Sequence, residues 1–351
     1  MTDAVVLELR GQDAQDVLEA ARLLAQGGLL AFPTETVYGL GARADAEAAV
    51  GAIFRLKGRP PDHPVIVHVL DVEGACAFAA AWPPAAQVLA RHFWPGPLTL
   101  IVPRRPGVAA ACAGGQDSIG VRCPSHPVAR ALLRQAQMLG VPGVAGPSAN
   151  RFGRVSPTCA AHVVEEFGPG LAVLDGGACE EGIESTIVDC TGATPRLLRP
   201  GTLIRPALEA VLAQVGLGLA GRDAAAPRVS GSLASHYAPR APVTIVDSAV
   251  LRGLRGREPG GPGAAAPDAA AADAGAAAAT RVGVYSCTVP PAGAAWRHRA
   301  MPSQAAAVAH ELFAVLRDFD AQGAEAIWVE APPATVEWEG VRDRLRRAAT
   351  R

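Results

Sequence analysis

Lysine is almost missing from this 351-residue chain: Lys57 stands alone beside 31 arginines. In so arginine- and alanine-rich a sequence, a merely solvated lysine would tend to be replaced. Position 57 has either survived by chance or needs a compact, flexible ammonium of the kind that holds phosphate. No excess of either charge exists, the formal net charge being −1. Nothing global therefore draws the protein to nucleic acid or an anionic membrane, and any attraction for a polyanion must come from a local cluster. No apolar run has the uninterrupted length of a membrane span. The opening decapeptide carries an acid at Asp3 and lacks a secretory pattern, so a cytoplasmic protein with no membrane partner is expected. The seven cysteines are odd in number, scattered and never spaced C-x-x-C, which argues against a disulfide framework or zinc knuckle and for free thiols. No serine or cysteine nucleophile has a recognisable histidine-and-acid context. No run of histidines and carboxylates suggests a protein-held metal. A Walker sequence is absent, as is a glycine-rich dinucleotide fingerprint, so any use of ATP requires another architecture.

What is present is an alternation of short apolar runs with helical patterns, over about residues 15–205, which predicts an α/β domain. Strands are expected at 29–32, 65–70, 98–102, 118–123, 143–146, 171–174 and 185–188. A helix capped by Asp45 should run to Lys57, with Val50, Ile53 and Phe54 on one face and Gly58 as its stop. Further helices are expected at 127–137, 159–167 and, apolar, about 206–220. A polar Gly/Ala-rich segment, 221–241, leads into a second alternation: strands at 243–246, 282–285 and 326–329, helices at 305–319 and 341–349. That pattern predicts a small doubly wound, Rossmann-like domain. Within it the low-complexity stretch 256–280 is read as a disordered loop. The length accommodates two domains, with boundaries at 1–208, 209–241 and 242–351.

Several motifs carry hydroxyls, cations and glycines to the ends of these runs. Phe32-Pro-Thr-Glu-Thr-Val-Tyr-Gly-Leu-Gly41 reads as a loop where a strand ends, either a structural turn or a ligand loop. In Lys57-Gly-Arg-Pro-Pro-Asp-His-Pro-Val-Ile-Val-His68, two cations sit at a helix end. A helix C-terminus attracts cations by itself, so charge alone does not decide function there. His68 shares a strand face with Ile66 and Leu70, as a hydrogen-bonded core residue or a ligand contact. Ser118-Ile-Gly-Val-Arg122, Gly146-Pro-Ser-Ala-Asn150, Ser156-Pro-Thr158, Gly182-Ile-Glu-Ser-Thr186 and Leu198-Arg-Pro-Gly201 repeat the arrangement. Together they suggest one crevice in which Lys57, Arg59, Arg122 and Arg199 form a cationic pocket, suited to a nucleoside triphosphate more than to a duplex.

Taken in order, Pro33-Thr-Glu-Thr-Val-Tyr-Gly-Leu-Gly, Lys57-Gly-Arg-Pro, Pro64-Val-Ile-Val-His, Phe93-Trp-Pro-Gly-Pro-Leu-Thr, Pro147-Ser-Ala-Asn, Gly182-Ile-Glu-Ser-Thr-Ile-Val-Asp and Leu198-Arg-Pro-Gly resemble the YrdC-type threonylcarbamoyl-AMP synthases. His236-Tyr-Ala-Pro239, after Ser230-Gly-Ser232, resembles the linker of the family's two-domain form, and the tail from Gly340 resembles the end of its second domain. The resemblance implies a twisted, open, mixed sheet with a concave, positively charged groove. It implies the conversion of ATP, L-threonine and bicarbonate into threonylcarbamoyl-AMP and pyrophosphate, with Mg²⁺ on the triphosphate. A downstream tRNA threonylcarbamoyltransferase would consume the product to make N6-threonylcarbamoyladenosine; direct tRNA binding is left open. By the same resemblance Thr34, Thr36, His68, Arg122, Gly146 and Ser185 would hold threonine. Lys57, Arg59, His63, Ser118, Ser148, Asn150, Ser156, Arg199 and Tyr237 would hold ATP, with Lys57 and Arg59 as the catalytic pair. His63 stands where the family often has Asn, and Gly146 where it has Ala. An RNA-binding module would need a broad basic surface, which the charge balance opposes. Another carbamoyl-transfer enzyme would carry zinc-finger-like or acylphosphatase-like regions, which the sequence lacks.

Overall fold

The computed structural model describes residues 8–224, 226–253, 281–288 and 296–350; the segment read as a disordered loop lies outside them. Ten strands form one mixed sheet in the N-terminal lobe. From one edge they run Glu8–Arg10, Ala172–Asp175, Leu30–Phe32, Gly39–Arg43 and Val144–Ala145. The order continues through Val67–His68, Ser118–Arg122, Leu98–Pro103, Thr186–Asp189 and Arg196–Arg199. Pleating sends Leu30 and Phe32 into a core with Leu24, Leu132 and Leu133, while Ala31 faces a second core with Val50, Ile53, Leu89 and Leu100. Helices Ala14–Ala25 and Pro127–Met138 cover one face, Glu47–Lys57 and Pro84–Phe93 the other. With both faces covered, a central strand such as Leu98–Pro103 is apolar at nearly every position.

Most expected elements appear, with informative differences. The segment expected as a loop up to Gly41 turns back as strand Gly39–Arg43, antiparallel to Leu30–Phe32. Asp45 does not cap the following helix: both its oxygens bind Arg43 at 2.8 Å, and Ala46 stands at the cap without a side-chain bond. The apolar helix expected to reach 220 is confined to Arg205–Ala213, beyond which Gly216 turns into the left-handed region at φ 72°. Among the described residues from 214 to 242 there is no helix or strand, and the segment crosses the N-terminal lobe, bridging Ala220 to Arg196 and Ala238 to Arg154.

Among the described residues the C-terminal lobe has four parallel strands, in the order Val243–Val246, Ala326–Glu330, Val282–Ser286, Trp296–Ala300. The parallel α/β pattern is as expected, but the lobe's first strand lies at the edge, whereas the usual dinucleotide-binding order places it centrally. Helices Ala305–Ala321 and Glu339–Ala349 pack between this sheet and the N-terminal lobe. Val37, Val155 and Ile183 share one apolar cluster with Leu312, Phe313 and Leu345.

Two glycines fix how closely the lobes meet. Gly182 has φ 75°, and a Cβ there would overlap the carbonyl oxygens of Ala309 and His310. A Cβ on Gly340 would come within 2.6 Å of the Gly201 carbonyl oxygen. Gly182→Ala should therefore lower the urea midpoint well beyond Gly107→Ala, which has φ 77° but open space around it and should cost only about 1 kcal/mol. Equal losses in the two variants would refute the close lobe contact.

Candidate active site

The cationic end of helix Glu47–Lys57 is built by its stop. Gly58 takes φ 64°, its N–H reaches the Arg55 carbonyl at 3.2 Å, and the Arg59 N–H reaches that of Phe54 at 2.9 Å. This closing turn fixes Lys57 and Arg59 on either side of the glycine. Lys57 Nζ donates to the Ser148 carbonyl at 2.5 Å and also to that of Asn150. Arg59 donates to the Pro64 carbonyl at 2.8 Å and lies over the Phe152 ring. Both cations are buried. Burial, with the charge of Arg59, pushes the Lys57 pKa well down, and burial lowers that of Arg59 to about 10.

Where the loop after strand Leu30–Phe32 reaches Arg122, at the end of strand Ser118–Arg122, a hydroxyl relay forms. Thr34 Oγ1 donates to the Val37 carbonyl at 2.6 Å, so it accepts from Thr36 at 2.8 Å; Thr36 in turn accepts from Arg122 Nη1 at 2.7 Å. Arg122 Nη2 stands 2.8 Å from Glu35 Oε1, both side chains buried. Burial pushes the Glu35 carboxyl up, but the guanidinium outweighs it and holds the pKa below its usual value. His68 is buried with Nδ1 unpartnered, and burial, then the Arg122 charge, drives its pKa to about 3, so the ring is neutral. A Cβ on Gly146 would stand 2.8 Å from that nitrogen; the small residue is what lets the imidazole approach.

On the far wall Arg199 donates to the Ser185 carbonyl through Nε and Nη2, at 3.0 and 2.9 Å, and to the Ser185 hydroxyl at 3.1 Å. Its Nη1 holds the Ser230 carbonyl of the crossing segment at 3.0 Å. That segment then presents Tyr237, a non-glycine residue at φ 63°. Its ring is buried and its hydroxyl has no partner. A left-handed tyrosine stores strain that the surrounding packing must impose. Here His236 lies against one side at 4.2 Å and Phe313 at 5.4 Å. Asn150 donates to the Arg151 and Arg154 carbonyls at 2.7 and 2.9 Å, leaving Oδ1 unpartnered.

One cleft is lined by Thr34, Thr36, His68, Arg122, Gly146, Ser148, Ser185, Arg199 and Tyr237. Lys57 adjoins it through Ser148. Ser156 joins through Glu184, a lining residue that accepts its hydroxyl. His63, half-buried, stacks edge-on against Phe152, which in turn meets His236. Ser118 stands apart, at the start of the strand that ends in Arg122, roughly 13 Å away along the chain. Glu35, Thr99 and Glu184 were overlooked as partners: Thr99 bonds Ser185 at 2.8 Å, and each lies within or beside a quoted motif. Arg344, which bonds Glu184 at 2.8 Å, is 160 residues distant, and no local pattern announces that pairing.

Fold and cleft define an α/β protein that gathers buried cations beside a hydroxyl-lined cleft. Residues 22–201 match the Sua5/YciO/YrdC family described as telomere recombination, and residues 204–350 match the C-terminal domain of threonylcarbamoyl-AMP synthase. The threonylcarbamoyl-AMP synthase of Bacillus subtilis is 35% identical over 349 residues, covering 97% of this chain and 95% of the relative. That of Pyrococcus abyssi is 42% identical over 231 residues, 65% of this chain and 67% of the relative. The crystal structure of P. abyssi Sua5 complexed with L-threonine superposes with a TM-score of 0.82 at 32% identity, covering 98% of this chain and 97% of that one. The chain belongs to the threonylcarbamoyl-AMP synthase family, in its two-domain form.

His236, like His68, is buried, and burial lowers its pKa to about 3. Both bind a proton more readily in the unfolded chain, near their usual 6.5. Stability should therefore fall as pH drops below that value. Urea midpoints should decline between pH 6.5 and about 5, before most carboxylates titrate. The decline should flatten in His68→Gln/His236→Gln; an identical slope would refute neutral burial of the two rings.

Proposed function

We propose that the chain is an L-threonylcarbamoyladenylate synthase, joining ATP, L-threonine and bicarbonate into threonylcarbamoyl-AMP with release of pyrophosphate. The observation that carries this is the meeting, in one cleft, of the Thr34–Thr36–Arg122 relay with buried Arg199, beside which Lys57 is held through the carbonyl of the lining residue Ser148. In this reading residues 1–208 form the catalytic domain with its concave groove. Residues 209–241 form a strap across it, and 242–351 form the second domain.

Threonine would lie against Thr34, Thr36, His68, Gly146 and Ser185, its carboxylate on Arg122. Both Nη atoms of Arg122 are already engaged, with Thr36 and Glu35, so a two-bond clamp on the substrate would have to share or displace one of them. A neutral His68 suits a site that must not add a competing positive charge beside the ammonium of threonine. The triphosphate would meet Lys57, Arg59 and Arg199, with His63, Ser148, Asn150, Ser156 and Tyr237 around the nucleotide. Ser118 fits only a ligand long enough to reach the other end of its strand. Mg²⁺ would enter on the triphosphate, as part of the nucleotide substrate.

In the reaction the threonine nitrogen attacks the carbon of CO₂, formed by dehydration of bicarbonate, and loses a proton to give an N-carboxylate. A carboxylate oxygen then attacks the α-phosphorus, the bond to the β-phosphate oxygen breaks, and pyrophosphate leaves. The protein's share is alignment and charge neutralisation by pre-set cations, with no covalent intermediate on the enzyme. The product is an activated carbamoyl group for an enzyme that modifies tRNA. No described helix is long and apolar enough to cross a membrane, and the described cysteines are free thiols; both accord with work in the cytoplasm.

Pyrophosphate release should require threonine and bicarbonate together, and fall about 100-fold or more in Lys57→Ala. Arg122→Lys should raise the threonine KM about tenfold, because the planar fork is lost while the charge stays; the ATP KM should not move. Release that is independent of the amino acid supplied would overturn the proposal.

A further inference from the structure

Arg344 is the most deeply buried cation among the described residues, at 0% exposure, yet it belongs to the C-terminal lobe. Helix Glu339–Ala349 carries it into the N-terminal lobe, where Gly340 allows the helix backbone to rest against Gly201. Its donors are distributed over separate segments of that lobe. Nε binds Glu184 Oε2 at 2.8 Å, Nη2 the Glu184 carbonyl at 2.9 Å, and Nη1 the Pro200 carbonyl at 2.8 Å. Behind it Asp343 supplies a countercharge at 3.1 Å, itself bound to Arg347 at 3.0 Å. Arg347 also donates to the Leu233 carbonyl of the strap. The guanidinium lies 5.4 Å from the centre of the Tyr237 ring. The other oxygen of Glu184 accepts from the Ser156 hydroxyl.

These contacts share a direction. Three of the groups that Arg344 touches belong with the residues proposed to hold the nucleotide: the Glu184 carboxylate with Ser156, Pro200 next to Arg199, and Tyr237 on the strap. Thr34, Thr36, His68 and Arg122 have no contact with it among those described. We propose that Arg344 is a positioning residue through which the C-terminal lobe completes the ATP half of the active site, while making no contact of its own with the Thr34–Thr36–Arg122 relay. This rests on the synthase function proposed above. Glu184 is a shared joint: Arg344 holds one carboxylate oxygen so that the other can orient Ser156. The same guanidinium, by a cation–π contact, supports the strained tyrosine. Lysine cannot replace it, having one compact charge where three donors in a plane reach separate partners.

The test uses the full chain and four variants: Arg344→Met, Arg344→Lys, Glu184→Gln, and the double variant Arg344→Met/Glu184→Gln. Binding of a non-hydrolysable ATP analogue and of threonine is measured by calorimetry, pyrophosphate release by steady-state kinetics, and folding by thermal melts. Arg344→Met leaves a buried carboxylate without its partner and should melt early. The double variant removes that charge and should regain thermal stability. Even so, the double variant and Arg344→Lys should bind the analogue about tenfold or more weakly, with a raised ATP KM and an unchanged threonine affinity. A double variant that is folded and binds the analogue like the wild type overturns the inference. So does one in which both ligands weaken equally, as a purely structural role would dictate. Wild-type chain that fails to release pyrophosphate with threonine and bicarbonate instead overturns the functional proposal, a result separable from either.

Discussion

A carboxylate buried at the boundary between the two lobes can remain charged only if each of its oxygens is occupied, and Glu184 is occupied from two sides. Arg344 comes from the C-terminal lobe and the Ser156 hydroxyl from the N-terminal lobe. An unpaired charge at such depth would cost several kcal/mol. Burial pushes the carboxyl up, yet the guanidinia of Arg344 and Arg199 reverse the effect and hold its pKa below the usual range. Neither lobe supplies both partners, so the residue that lines the cleft is stable only in the assembled chain. The close approach of Gly340 to Gly201 and the shared cluster around Phe313 follow from that need for depth.

The other cations of the cleft are satisfied differently. Lys57 rests on two backbone carbonyls, Arg59 on two more, and Arg199 on those of Ser185 and Ser230. Carbonyl dipoles solvate a positive charge without cancelling it. These three cations are thus oriented in advance without a carboxylate among the described residues paired directly to them, which accords with the phosphate-binding role proposed for them. Arg122 is the contrast: beside a buried carboxylate it is locally neutralised, which suits recognition of a zwitterion better than of a polyanion.

Much of this was legible in the sequence where chemistry and local geometry coincide. Gly58 after Lys57 announces both the helix stop and the aligned cations, and the apolar strands between helices announce a covered sheet. Asp45 misled because an aspartate before a helix pattern suggests a cap, while Arg43, two residues earlier, offers a bidentate partner. The strand at Gly39 was hidden because Val37-Tyr-Gly-Leu-Gly has the composition of a turn, although Tyr38 and Leu40 are fully buried. Ser118 was named for ATP through the family resemblance, and it begins the strand whose other end carries Arg122. Arg344 was invisible as a site residue because it sits in an arginine-rich helix. Only the three-dimensional fold distinguishes it from exposed Arg346 next to it but one.

The glycine at 340 has a bearing on how such a chain can change over generations. With no side chain permitted where the second lobe touches the carbonyl of Gly201, the two lobes are not interchangeable cassettes. A graft of one relative's C-terminal lobe onto another's N-terminal lobe would have to bring this seam unaltered. Inheritance of the two halves is therefore expected to be joint, and substitutions on one side of the seam should be tolerated only alongside matching ones on the other.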